Sequence, residues 1–227
     1  MAAAGLWEGV DRLLDRLSPE AAIAHQLGPL AARRLRARGE AVPDQLAREE
    51  RAAKAGALVA PTLLARVRAA YEGPLLLMKG PELTSRYPGG ARRLGDLDLV
   101  AEDPDQAQAA LLSHGFIPKS MGVEADYLRH HHLHPLSYPG IPLPIEIHRK
   151  AMWPSGLPGP DNEELFEAAV PASVGVSGLL APDRRHHALL LAAHAWGEVP
   201  MRHLREFVDV LAFTEDGDRE ELRELER

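Results

Sequence analysis

The chain has 227 residues, 45% of them hydrophobic, enough for one sizeable domain or a domain with an appendage to bury a core. Its formal charge of −7 argues against a broad nucleic-acid-binding surface, which carries a positive excess, and leaves room only for local basic patches. No cysteine occurs, which excludes a disulfide framework, a thiolate metal or redox site and a cysteine nucleophile.

Near the N-terminus, Glu8, Asp11 and Arg12 interrupt LWEGVDRLL before a signal-like apolar segment can develop. No apolar run approaches the roughly 20 residues that span a bilayer. A cytoplasmic protein without a membrane partner is the expectation. Residues 1–72 read as a helical region. Leu6, Val10, Leu13, Leu14 and Leu17 recur at helical spacing, and Ser18-Pro19-Glu20 has the form of a cap followed by proline at the first helical position. That second helix is expected to run to about Arg38 and stop at Gly39. A third starts at Pro43-Asp44 and continues towards Tyr71, with Pro61 expected to break or kink it. Arg33, Arg34, Arg36 and Arg38 read as a solvated helix face rather than a phosphate site.

From residue 74 the pattern changes to short apolar runs separated by turns, and residues 73–150 read as a sheet-bearing core. PLLLM is the first strand, PELTSRY a short helix and LGDLDLV the second strand. Asp103 then caps a helix with Pro104 in its first turn, and AQAALLSH carries it to Gly115. Two further strands are expected at 127–138 and 143–149. Residues 151–227 return to helices, opened by Asp161, by Pro182-Asp183 and near Met201. The last of these carries Leu204, Phe207, Val208 and Leu211 on one stripe, and the tail DGDREELRELER reads as a charged, solvated helix end.

The chemistry concentrates at Asp96 and Asp98. In a strand, alternate side chains share a face, so both carboxylates would stand on one surface about 7 Å apart. Asp is a poor strand former and like charges on one face repel, so the pair needs a reason. A divalent cation supplies one, because hard cations such as Mg²⁺ take carboxylate oxygens together with waters and substrate phosphates. The other reading is a pair of loop-edge carboxylates that cap the strand or meet Arg92 or Arg93. In PLPIEIHRK, Glu146 and His148 share one face while Ile145 and Ile147 take the other, which makes Glu146 a third carboxylate for the same cluster or an outward-facing Glu on an amphipathic strand. Three carboxylates at close range cannot all stay ionised without cations. His130, His131, His132 and His134 do not converge as zinc demands, since a strand sends His131 to the opposite face; they read as substrate contacts or as a polar strand face bordering a pocket. His194 and Asp209 lie on apolar helices, as satisfied core groups or as pocket lining.

Taken together, MKGPELTSRYPGGARRLGDLDLV, then SHGF, then PIEIHRK is similar to a family of uncharacterised bacterial nucleotidyltransferases marked by LKG…YP…R…DxDLLV…GF…EhH, within the polymerase-β-type nucleotidyltransferase superfold. The likeness runs over roughly residues 60–215. It implies an α+β fold in which a mixed β-sheet core lies between N-terminal and C-terminal helical regions. It also implies transfer of a nucleoside monophosphate from an NTP to an unknown acceptor hydroxyl, on a small molecule, a protein or RNA, with Mg²⁺ or alternatively Mn²⁺ and release of pyrophosphate. Asp96, Asp98 and Glu146 would be the catalytic and metal-binding residues. Lys79, Gly80, Arg92 and Arg93 would bind the nucleotide, while His132, His148 and His194 would line the pocket. One departure stands out: the superfold carries Gly-Gly or Gly-Ser after its first strand, whereas this chain has Gly80-Pro81, which removes a backbone N–H that could hold phosphate. The rival reading is a degenerate module of the same fold that binds a nucleotide or a partner protein without turnover. G-x-G-x-x-G, the Walker Gly-Lys-Ser/Thr loop, H-E-x-x-H and G-x-S-x-G are all absent.

Overall fold

A computed structural model describes residues 3–119, 132–154, 156–197 and 202–214. The N-terminal pattern folds as α1 (Ala3–Leu14), α2 (Pro19–Ala24), α3 (Gly28–Ala37) and the long α4 (Asp44–Ala70). Ser18 caps α2 by accepting from the Ala21 amide at 3.2 Å. The single helix expected up to Arg38 is divided, because Gln26 takes a left-handed backbone with φ of +60°. The break lets Leu27 and Leu30 turn into a core shared with Leu14, Leu46 and Val208. Pro61 does not break α4. Its neighbours Ala60, Leu63, Leu64 and Val67 are fully buried against the sheet, and that burial offsets the hydrogen bond the proline removes.

The remainder alternates. In chain order it runs β1 (Leu75–Leu77), α5 (Pro81–Thr84), a 3₁₀ turn (Pro88–Gly90), β2 (Leu97–Ala101), α6 (Pro104–Ser113), β3 (Ile117–Pro118), β4 (Leu136–Tyr138) and β5 (Ile141–His148). There follow α7 (Asn162–Glu167), β6 (Val170–Pro171), β7 (Leu180–Ala181), α8 (Arg184–Gly197) and α9 (Leu204–Thr214). Asp103 caps α6 by accepting from the Gln106 amide at 2.9 Å, and Gly115 ends the turn after it with φ of +86°. The strands form one sheet in the order β3-β4-β5-β2-β1-β7-β6. β2 runs parallel to β5 and β1 to β7, while the other neighbours are antiparallel, so the sheet is mixed. This is the α+β fold that the resemblance implies.

Three expectations change. The stretch beyond residue 150 is not purely helical, since β6 and β7 extend the sheet; strands of two residues are too short to show alternation in sequence. The strand expected at 127–138 is seen only as a bridge from His132 to His148 and then as β4, and residues 127–131, including His130 and His131, lie outside the described residues. The last helix begins at Leu204, and the charged tail from 215 also lies outside them.

One sheet face carries Leu75, Leu77, Leu97, Leu99, Ile145 and Ile147 onto α4 and α6. Alternation then turns Leu76, Met78 and Val100 the other way, against Leu165 of α7 and Leu190 of α8. On that second face Asp98 lies directly opposite Glu146, and Val100 opposite His148. No described helix is long and apolar enough to cross a membrane.

The helical end is tied to the sheet by a buried ion pair. Arg92, in the segment leading to β2, donates from Nε to Asp209 Oδ1 at 2.8 Å and from Nη2 to Oδ2 at 2.9 Å, and the Tyr87 hydroxyl donates to the same Oδ1 at 2.6 Å. Both partners of the pair are almost wholly buried, so each is stable only with the other. Asp209→Asn leaves the Arg92 guanidinium without its counter-charge. Urea unfolding should show a loss of about 3–5 kcal/mol, whereas a change within the ordinary surface range of about 0.5 kcal/mol would mean that the clamp contributes little.

Candidate active site

The site grows from the parallel register of β2 and β5. Because strand side chains alternate, Asp98, Glu146 and His148 all leave the sheet on the face turned away from α4. One donor atom from each of the three lies within 4.8 Å of the others. The closest approach is 2.9 Å, from His148 Nε2 to Asp98 Oδ1, while His148 Nε2 and Glu146 Oε2 are 3.8 Å apart. Donors on adjacent corners of an octahedral ion with bonds near 2.1 Å are about 3 Å apart, so the three side chains are close enough to gather on one divalent cation after a small inward shift of Glu146 and loss of the His148–Asp98 hydrogen bond. Two carboxylates and an imidazole suit Mg²⁺ less than an all-oxygen set would.

Lys79 follows β1 and reaches the same group. Its ammonium lies 2.9 Å from Asp98 Oδ2 and 2.8 Å from His194 Nε2 on α8, to which it donates. Asp98 has 2% side-chain exposure. Burial raises its pKa, but Lys79 and His148 more than reverse this and hold it well below the usual carboxylate range. Burial lowers the pKa of Lys79, and Asp98 with Asp96 outweighs it, so the net shift is upward. Glu146 has no cation so close. Burial, then Asp98 and Asp96, push its pKa up to about 7.

These groups open on a cavity of about 360 Å³. Gly80, Arg92, Asp96, His132 and His194 line it. Gly80 has φ of +82°, and a Cβ there would come within 3.0 Å of the Leu97 side chain, so the turn needs glycine on both counts. Pro81 occupies the first position of α5, where a helix leaves its N–H unpaired in any case. His132 Nδ1 hydrogen-bonds to the Leu133 carbonyl, which turns Nε2 to within 3.9 Å of Glu146.

Two placements differ from expectation. Asp96 is not in the strand: β2 begins at Leu97, and Asp96 belongs to the irregular segment 91–96. It lines the cavity but falls outside the group of three, so the metal-capable cluster contains His148 where the same-face argument puts Asp96. Burial and then Asp98 raise its pKa. Arg93 is half-exposed and paired at 2.9 Å with Glu49 of α4, away from the cavity, because neighbouring residues in an extended segment point to opposite sides. Sequence reasoning passed over Gln26 and Arg205, which also line the cavity. The spacing of Arg205 and Asp209, one helical turn apart, was the available signal for the second.

Residues 17–226 match the sequence model of the family described as "Uncharacterised nucleotidyltransferase". The chain belongs to that family. No curated protein and no solved structure matches it. The family match points to transferase-type chemistry, and the sheet face turned away from α4 carries three side chains that could hold a metal ion.

The raised pKa of Glu146 has a consequence for stability. A carboxyl whose folded pKa lies above its ordinary 4.5 contributes stability that is complete below that value and is lost as pH rises through about 7. In a chelator, the wild type should therefore lose more stability between pH 5 and pH 8 than Glu146→Gln does. Equal pH slopes by chemical denaturation would show that Glu146 titrates normally.

Proposed function

We propose that the protein transfers a nucleoside monophosphate from an NTP to an acceptor hydroxyl and releases pyrophosphate. The observation that carries this reading is the in-register placement of Asp98 beside Glu146, with His148 at 2.9 Å from Asp98, on the buried face of a nucleotidyltransferase-family sheet. Asp98, Glu146 and His148 would hold a divalent cation, Mg²⁺ or Mn²⁺, and Asp96 adds a further carboxylate to the same cavity wall. Such an ion, when bound, neutralises phosphate charge and aligns the attacking and leaving oxygens of an in-line displacement.

In the step itself, the acceptor oxygen forms a bond to the α-phosphorus as the bond to the bridging oxygen of pyrophosphate breaks. Glu146 would either complete the cation site or, left unligated, receive the hydroxyl proton; burial, then Asp98 and Asp96, raise its pKa when no cation is bound. Lys79 supplies positive charge at the cavity floor and, through His194, is linked to α8. The formal charge of −7 and the concave site of about 360 Å³ favour a small acceptor or an accessible side chain over a long nucleic acid.

One observation favours a second reading, in which the fold binds a nucleotide without turnover. Both Asp98 oxygens are already engaged, one with His148 and the other with Lys79, so the charge is internally satisfied before any cation arrives. Release of pyrophosphate separates the two readings.

The test is thermal stability of the wild type, Asp98→Asn and Glu146→Gln with each of the four NTPs, with and without Mg²⁺ or Mn²⁺. A nucleotide at a hundred times its Kd stabilises the folded wild type by about 2.7 kcal/mol. We expect a metal-dependent shift with at least one NTP in the wild type and none in either variant. The absence of any shift in folded wild type contradicts both readings.

A further inference from the structure

Three cations line the cavity: Lys79, Arg92 and Arg205. Two of them are matched. Lys79 has Asp98 at 2.9 Å, and Arg92 holds Asp209 through two parallel hydrogen bonds. Arg205 is not matched in this way. Its Nε lies 3.7 Å from Asp209 Oδ2 and makes no hydrogen bond among the described residues, while the charge of Asp209 is already met by Arg92. The side chain is only 21% exposed. Burial and then Arg92 lower its pKa, as befits a guanidinium short of counter-charge. Glu206 and Asp96 act on it through space without forming an ion pair among the described residues.

A second observation falls on the same wall. Gln26 lines the cavity too and is the one non-glycine among the described residues with a left-handed backbone. That conformation ends α2, with the Leu27 amide donating to the Ala22 carbonyl at 2.7 Å, and turns Gln26 to the cavity wall. Its loop is fastened to the start of α9: the Arg205 amide donates to the His25 carbonyl at 3.3 Å, and His203 Nδ1 lies 3.0 Å from the Ala24 carbonyl. The two ends of the chain thus jointly present one under-neutralised guanidinium to the cavity.

We propose that Arg205 anchors the polyphosphate of the nucleoside triphosphate, beside the space where Asp98, Glu146 and His148 would hold a cation. This rests on the transferase reading and assigns the phosphate contact to a residue outside the strand motif. Arginine suits the task because its planar fork matches phosphate oxygens in pairs. The contact is with the phosphates alone, so it serves all four NTPs equally and does not require a base.

The experiment measures binding of inorganic tripolyphosphate and of each NTP, in the presence of Mn²⁺, to wild type, Arg205→Met and Arg205→Lys. Affinity for Mn²⁺ alone is read separately by electron paramagnetic resonance. Because Arg205 forms no short ion pair, both variants should keep the unliganded melting temperature, and Arg205→Lys preserves the charge if the methionine variant is unstable. We expect Arg205→Met to lose on the order of 10- to 100-fold in affinity for tripolyphosphate and for every NTP, as one charge-assisted contact disappears. Arg205→Lys should recover part of the loss, and Mn²⁺ affinity should stay within about twofold, as for a residue outside the ligand set. Tight binding by the wild type that survives unchanged in Arg205→Met overturns this assignment and leaves the transferase reading standing. Failure of the wild type to bind tripolyphosphate or any NTP overturns both.

Discussion

The structure is arranged around a carboxylate that has been taken out of water. Asp98 sits in the middle of a mixed sheet with 2% exposure, a position that strand propensity disfavours and solvation opposes. It is tolerable only because Lys79 and His148 approach its two oxygens at 2.9 Å. Each of those partners depends on a different strand: Lys79 on the end of β1, His148 on the end of β5. The in-register parallel pairing of β2 with β5 is therefore a condition of the site as well as of the core, since a slip by one residue would turn Asp98 and Glu146 towards the apolar layer of α4.

The helices outside the sheet are walls of the cavity. α8 contributes His194, hydrogen-bonded to Lys79, and α9 contributes Arg205 and Asp209. Asp209 holds Arg92 and so steadies the segment that delivers Asp96 and β2. The loop before α3 adds Gln26 from the other end of the chain, and Val208 of α9 packs into the core of α1 to α3. Loosening either helical end would therefore change the cavity, even though the metal-capable side chains all belong to strands.

Much of this was legible in the sequence because it follows from short-range rules. Ser18 and Asp103 cap helices as their positions indicate, and the alternation in PIEIHRK places Glu146 and His148 on one face as read. What the sequence did not disclose depends on contacts between distant segments. Asp96 leaves the strand because ladder pairing with β5 starts at Leu97, a fact decided by the partner strand and not by D-x-D itself. Arg92 and Arg93 looked equivalent, but only Arg92 meets Asp209, 117 residues away. The helix break at Gln26 and the continuity of α4 through Pro61 were both decided by burial, which overrode local preference. β6 and β7 are too short to carry a period, so nothing in their residues announces them.

The most direct test of the central claim is a crystal structure of the protein with Mn²⁺ and a non-hydrolysable NTP analogue, with anomalous scattering used to locate the metal. The account predicts a manganese peak bounded by Asp98, Glu146 and His148, with oxygens of the analogue's phosphates completing its coordination. Manganese and nucleotide bound elsewhere, with Lys79 still paired to Asp98 and the cavity unchanged, would contradict it.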